Sequence, residues 1–208
     1  DLDRLKADPY AFYAKAMLKL NRLEMVDADP TPAWRGTAVH AVLERWARED
    51  RCDPAALRPR AEAMLRAQDA HPLVRALWQP RLLEALDWIA AETTERLAAG
   101  HRIVWMEEKG ELAVQGVVLS GKPDRIDRAP DGTLTIIDYK TGKAPGPKQV
   151  AGGYAQQLGL IGLMAEGGAF EGVEGRAACF EYWSLARDQK TDGFGCIVSP
   201  VDPSGARG

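Results

Sequence analysis

GKPDRIDRAPDGTLTIIDYKTGKAP, residues Gly121 to Pro145, decides how the chain is read. Its β-branched and apolar residues describe two strands joined through a PDG turn at 130–132. Such a hairpin reads as buried, yet it carries four aspartates and three lysines. Side chains two apart on a strand share a face, so Asp138 and Lys140 point one way and Tyr139 the other. Asp124 lies fourteen residues before Asp138, across the connection, which brings both carboxylates together on adjacent strands. Close carboxylates repel, and one must hold a proton unless a cation lies between them. A hard divalent ion such as Mg²⁺, liganded by oxygens, resolves the conflict. Lys140 beside that ion would stabilise charge building on a phosphorus centre or orient an attacking water. On spacing alone a plainer reading stands beside this one. Asp124 and Asp127 would be solvent-face charges, and Asp138–Lys140 an edge-strand ion pair.

Outward from the hairpin, the hydrophobic period changes near residue 100. Before it the chain reads helical. DPYAFYAKAMLKL places Tyr10, Tyr13, Met17 and Leu20 on one face, with Pro9 in the first turn. ADPTPAW reads as a linker, and RGTAVHAVLERWARED as a helix with a Val39, Leu43, Trp46 stripe. A third helix starts with Asp53 as N-cap and Pro54 at its first position. A longer one covers roughly 73 to 99, kinked or broken at Pro80, and stops at Gly100. RIVWMEEKGELAV, VVLSGKPDRIDRA and TLTIIDYKTG then read as three strands, with KG at 109–110 as the first turn. A helix at AGGYAQQLGLIGLMAEGG follows, then strands at RAACFEYWSLA and GFGCIVS. This order predicts an α/β or α+β fold: a mixed sheet flanked by helices, with a mainly helical portion over 1–100 and the sheet and its helix over 101–200. One domain of 1–208 accommodates both.

Composition sets wide bounds. The 208 residues are 46% apolar and 27% charged, an ordinary globular balance. No run is long enough for a membrane span, and no signal-peptide pattern opens the chain. Asp1 as first residue and the trailing VDPSGARG read as a piece of a longer polypeptide. The net charge of −3 argues against a free-standing polyanion binder but not against a nucleic-acid enzyme whose carboxylates hold a metal. Cys52, Cys179 and Cys196 are scattered, without paired metal spacing, and read as reduced cytosolic thiols.

GKPDRID followed by IIDYKTGK resembles the PD-(D/E)xK nuclease superfamily, in particular its RecB-like branch. GTAVHAVLE, Gly36 to Glu44, is similar to that branch's upstream helix, and QLGLI, Gln157 to Ile161, to its downstream Q-x-x-x-Y helix. The flanks LDRLKADPYAFYAKAMLKL and FEYWSL look like the C-terminal nuclease domains of AddB-type subunits of AddAB helicase–nucleases. The resemblance implies a restriction-endonuclease-like sheet and a DNA nuclease domain in double-strand break processing. It also implies an AddA-type helicase–nuclease partner, single-stranded DNA as substrate, and a place in the bacterial cytoplasm at the nucleoid.

Position by position, the resemblance implies that His40, Asp124, Asp138 and the main-chain carbonyl of Tyr139 hold Mg²⁺, with Mn²⁺ as substitute. It makes Lys140 the catalytic base or electrostatic stabiliser, and Gln157 a residue that positions the nucleophile, Lys140 or the DNA. Glu44 is left outside the ligand set, and neither Glu107 nor Glu108 is assigned. Lys143 and Lys148 are candidate phosphate contacts, since a groove tracking the backbone needs positive charge. Two departures stand out. Ile161 occupies the motif's tyrosine position. The four-cysteine iron–sulfur clamp of many relatives has no counterpart, because Ala7 and Asp8 stand where its upstream cysteine would be. No cluster is predicted, and Trp34, Trp46, Trp78, Trp88, Trp105 and Trp183 are expected to do more of the packing. The rival reading is a non-catalytic module that guides DNA or scaffolds a partner, with Ile161 and the acidic balance in its favour.

Overall fold

The structure is a computed structural model. It describes residues 5–6, 8–20, 32–67, 72–142, 144–146, 150, 156–187 and 193–199, with the side chains of 32–35, 67 and 72–77 set aside. Trp34 is therefore placed only by its backbone, and Lys143 and Lys148 lie outside the described residues.

Helix α1 (Pro9–Phe12) is capped by Asp8, whose carboxylate accepts the Ala11 N–H at 2.9 Å. It passes directly into a π-helical turn at Tyr13–Met17. The apolar face expected of this segment is not buried, since Tyr10, Tyr13, Met17 and Leu20 are all exposed. Helix α2 (Pro32–Asp50) begins inside the stretch expected to be a linker. Its stripe of Val39, Leu43 and Trp46 is fully buried, as the helical period requires. Helix α3 (Pro54–Ala67) starts on its predicted cap, with Asp53 accepting the Ala55 N–H at 3.0 Å. Helix α4 (Pro72–Ala98) runs through Pro80 without a break, with that proline on its exposed side. It gives way to Gly100, whose φ of +89° lies in the left-handed region that glycine tolerates.

Five strands precede the next helix rather than three. They are β1 (Arg102–Met106), β2 (Gly110–Val114), β3 (Val117–Gly121), β4 (Arg125–Arg128) and β5 (Leu134–Lys140). KG at 109–110 is not the turn expected there, because Gly110 already pairs with Gly121. The tight turn is Gln115–Gly116, with φ of +49° and +81°, as a two-residue hairpin demands. Strands β2 and β3 form a hairpin of their own. Helix α5 (Gln157–Glu166) then leads to β6 (Ala177–Arg187) and β7 (Phe194–Val198).

The main sheet has the order β1-β4-β5-β6-β7, parallel only between β5 and β6. Parallel neighbours need a crossover connection, which α5 supplies. The result is the expected mixed sheet with helices on both faces. Against one face, α2, α3 and α4 bury a core that includes Trp46, Leu57, Leu86, Ile137, Tyr139 and Trp183. Against the other, α5 buries Ile126, Leu134, Ile136, Ile161 and Tyr182, with Leu112 and Leu119 of the β2–β3 hairpin at the margin. β5 is thus a central strand covered on both faces, not an edge strand.

Asp127, read from spacing as a possible solvent-face charge, lies deep in the first core. It accepts two hydrogen bonds from Arg125, at 2.6 and 2.7 Å, while Arg125 donates a third to Thr93 on α4 at 2.7 Å. Both charges are wholly inaccessible to solvent, and the guanidinium lies 5.0 Å from the Trp183 ring centroid. Removing one partner would strand the other charge in a medium that cannot solvate it. Asp127→Ala is expected to lower the unfolding free energy by about 3–5 kcal/mol, whereas an apolar pair at 125 and 127 recovers most of that loss. Urea denaturation of the single and double variants checks this.

Candidate active site

Antiparallel pairing decides where the chemistry gathers. β1 runs against β4 and β4 against β5, so the end of β1, the start of β4 and the end of β5 share one rim of the sheet. Glu107 follows β1, Asp124 precedes β4, and Asp138 and Lys140 end β5. Helix α2 brings His40 and Glu44 to the same rim. Its approach is close at Gly36, where a Cβ would stand 3.6 Å from the Thr141 hydroxyl.

The β4–β5 ladder stops at Arg125 opposite Ile137. Beyond it, the buried Asp124 carboxylate takes over and accepts the Tyr139 N–H at 2.7 Å through Oδ2. Its other oxygen lies 3.6 Å from His40 Nδ1. The Tyr139 ring turns to the opposite face, 1% exposed, with its centroid 5.8 Å from that of Trp183. Asp138 Oδ2 lies 2.6 Å from Lys140 Nζ, off the alignment of a good hydrogen bond. Lys140 also reaches Gln157 Oε1 on α5 at 3.5 Å and stands 5.6 Å from the Tyr182 ring centroid. Ser184 on β6 donates to the Gly142 carbonyl at 3.1 Å and so fixes the chain where it leaves β5.

Glu107 is the residue that sequence reasoning left unassigned. It is 3% exposed, and its Oε1 lies 3.3 Å from His40 Nδ1 while Oε2 lies 2.9 Å from Lys122 Nζ. A left-handed φ of +50° aims it inward, and its N–H is held by the Pro123 carbonyl at 3.0 Å. The parity of β1 gives no guide to this, because the register shifts between Ile103 and Trp105. Among the described residues, His40, Glu107 and Asp124 can each offer one ligand atom within 4.8 Å of the others. Asp138, expected in that trio, is not one of these three and faces Lys140.

Electrostatics explain what such a cluster needs. Burial, reinforced by the Asp138 charge, pushes Asp124 up to about 7. Burial raises Asp138 too, against the pull of Lys140. Burial also acts to raise Glu107, but the hydrogen bonds from His40 and Lys122 outweigh it and hold that carboxyl below its usual range. His40 is raised, chiefly by its bond to Glu107 and against burial. The rim therefore sets three buried carboxyls against Lys122, Lys140 and the His40 imidazole, and burial opposes ionisation of Asp124 and Asp138. Oxygen and imidazole donors held this way suit a divalent cation, and the underbonded Asp138 oxygen has capacity left for one.

A five-stranded mixed sheet flanked by helices, with acids and a lysine at one rim, has the architecture of restriction-endonuclease-like proteins. A model of the PD-(D/E)XK nuclease superfamily matches residues 1–204, and the chain belongs to that superfamily of metal-using, nuclease-type hydrolases. An uncharacterised protein of Rickettsia bellii (strain RML369-C) is 30% identical over 175 residues, covering 79% of this chain and 21% of the relative. Another, from Rickettsia typhi (strain ATCC VR-144 / Wilmington), is 29% identical over 177 residues, with 79% and 20% covered. The chain spans about a fifth of the length of these curated relatives. Among the described residues, no helix is long and apolar enough to cross a membrane.

An ion entering this rim must displace a proton from Asp124. An unfolded aspartate titrates near about 4, so between there and about 7 the folded protein retains a proton that the unfolded chain has lost. This group's contribution to stability therefore falls as pH rises through that window, and a divalent cation replaces what the proton supplied. The rise in Tm on adding Mn²⁺ is expected to be larger at pH 8 than at pH 5.5. Equal increments by scanning calorimetry would refute the assignment of Asp124 to an ion site.

Proposed function

We propose that this domain is a divalent-metal-dependent deoxyribonuclease, working with Mg²⁺ and accepting Mn²⁺. The observation that carries the reading is the meeting, on one rim, of buried carboxylates from three neighbouring strands with His40 and the Lys140 ammonium. Asp124, Asp138, His40 and the Tyr139 carbonyl hold the ion in this reading, and Glu107 joins them. When bound, the cation draws off phosphate charge and makes water a better nucleophile.

The protein's own groups do the remaining work. Asp138 fixes the Lys140 ammonium at 2.6 Å, so its charge is in place before substrate arrives. At 32% exposure that side chain is open to a phosphate oxygen while its stem stays anchored. Gln157 limits its swing from the α5 side and orients either the ammonium or the attacking water. Lys143 and Lys148 remain candidates for contact with the DNA backbone.

Finer features belong to the same proposal. In this reading the domain attacks single-stranded DNA exonucleolytically, as a helicase delivers it. The terminal stretches that look like AddB nuclease domains support a setting in double-strand break processing beside an AddA-type partner, in the bacterial cytoplasm at the nucleoid. Residues 1–208 act in it as a single nuclease domain. Ile161 does not favour the non-catalytic rival. Its side chain is 7% exposed and packs in the α5 core.

Labelled linear DNA incubated with the protein should be digested with Mg²⁺ and left whole with EDTA. Lys140→Ala and Asp138→Ala are each expected to lower the rate by at least about 10²-fold with the circular-dichroism spectrum unchanged. Wild-type rates in either variant would overturn the site, and no metal-dependent product from the native protein would favour the scaffold reading.

A further inference from the structure

Lys122 belongs to none of the roles assigned above, yet its ammonium meets the same carboxylate as the candidate ion. Glu107 is shared, with Oε1 toward His40 at 3.3 Å and Oε2 toward Lys122 at 2.9 Å. Glu107 is nearly inaccessible, whereas the Lys122 side chain is 43% exposed. Its second partner holds it weakly. Glu44 Oε1 lies 3.5 Å away and already receives Arg48 at 2.9 Å. Lys122 is therefore a flexible cation at the mouth of the site, tied to a buried anion that a divalent ion would claim.

Both cations cannot hold Glu107 on equal terms. An ion among His40, Glu107 and Asp124 neutralises the carboxylate and repels the ammonium beside it. Lys122 then has a long stem, open solvent and only Glu44, a carboxylate it shares with Arg48. A DNA phosphate entering the site offers the stronger partner. Conversely, while Lys122 rests on Glu107, a strand meets the carboxylates of Glu44, Glu107 and Asp138 with one cation already engaged.

We propose that Lys122 is an exchanging counter-ion: it pairs with Glu107 when the metal is absent and with the substrate's phosphate backbone once the metal is bound. The exchange couples ion binding to strand binding, and coupling of this kind is reciprocal. The inference rests on the nuclease reading and adds a residue that makes the protein hold DNA only when loaded for cleavage.

Lys122→Gln and Lys122→Arg test it, each in a Lys140→Ala background that keeps the strand whole. A fluorescein-labelled single-stranded oligonucleotide is titrated in Mn²⁺ and in EDTA, and Mn²⁺ alone by calorimetry. The glutamine variant is expected to bind Mn²⁺ about three- to fivefold more tightly, having lost a competitor, and the oligonucleotide about three- to fivefold more weakly in Mn²⁺. In EDTA its affinity for DNA should match that of the parent. The salt dependence in Mn²⁺ should become shallower by about 0.7 in log–log slope, with the arginine variant restoring all of these values. A merely structural lysine would weaken both ligands together. Loss of DNA affinity to the same extent in EDTA would overturn the exchange, as would weaker Mn²⁺ binding. If the parent itself binds DNA no better in Mn²⁺ than in EDTA, the exchange is overturned, whereas the nuclease reading falls only if the native protein gives no metal-dependent digestion.

Discussion

One hydrogen bond sets the geometry of the whole rim: the Tyr139 N–H donating to the Asp124 carboxylate at 2.7 Å. The regular ladder between β4 and β5 has ended at Ile137, two residues earlier, and a buried N–H left without a partner would be costly. A side chain takes the place of a strand. That substitution fixes the carboxylate at the end of β5 and leaves its second oxygen free toward His40. It also explains how an acid can be 8% exposed and still lie at the mouth of a site. Its position is bought with a backbone hydrogen bond, and burial then drives its proton affinity up.

β5 has to serve two opposed demands. Ile137 and Tyr139 face the core beneath α2, α3 and α4, while Ile136 packs under α5 on the face that also carries Asp138 and Lys140. Burial on both sides makes the strand rigid and forces its charges to be paired. On the far face, Arg125 and Asp127 satisfy one another inside the apolar layer, with Thr93 and Trp183 completing the guanidinium's surroundings. On the near face the pairing is looser: Asp138 has Lys140, Glu107 has His40 and Lys122, and Asp124 has one backbone donor and a longer approach to His40 at 3.6 Å. The same sequence motif thus contains a closed charge network and an open one, separated by the thickness of a sheet. Only the open one has room for an ion.

Much of this was legible in the sequence because β-strand parity is strict. Asp138 and Lys140 on one face with Tyr139 on the other follows from the two-residue period of a strand, the stripe through Trp46 from the 3.6-residue period of a helix, and the caps at Asp53 and Gly100 from the chemistry of those two residues. Parity failed where the backbone departs from ideal geometry. The register shift in β1 and the left-handed Glu107 together hid that residue's direction, so the adjacent Glu107 and Glu108 could not be told apart. A third failure had another cause. The hairpin β2–β3 turns on Gln115–Gly116, and neither this pair nor Lys109–Gly110, six residues before it, carries the Asn or Asp that would mark one of them as the turn. The exposed face of Tyr10, Tyr13, Met17 and Leu20 has the period of a buried helix without the burial. Periodicity reports which side of a helix is apolar and not what covers it.

Ile161 shows how a departure from a family pattern can be absorbed by packing. A Cβ added to Gly121 would lie 2.6 Å from Ile161 Cδ1 and 3.1 Å from Met164 Sδ, so glycine is what lets β3 end against α5. Gly121 is followed at once by Lys122. One turn earlier on the same helix, Gln157 meets Lys140 at 3.5 Å. A single ten-residue helix therefore meets the chain beside both lysines of the rim, at Gln157 through a polar contact with Lys140 and at Ile161 through an apolar contact with Gly121. A tyrosine at 161 would have to displace either Gly121 or the sheet beneath it. Isoleucine at 161 fits that close approach, and the same helix keeps Gln157 beside Lys140 from its polar first turn.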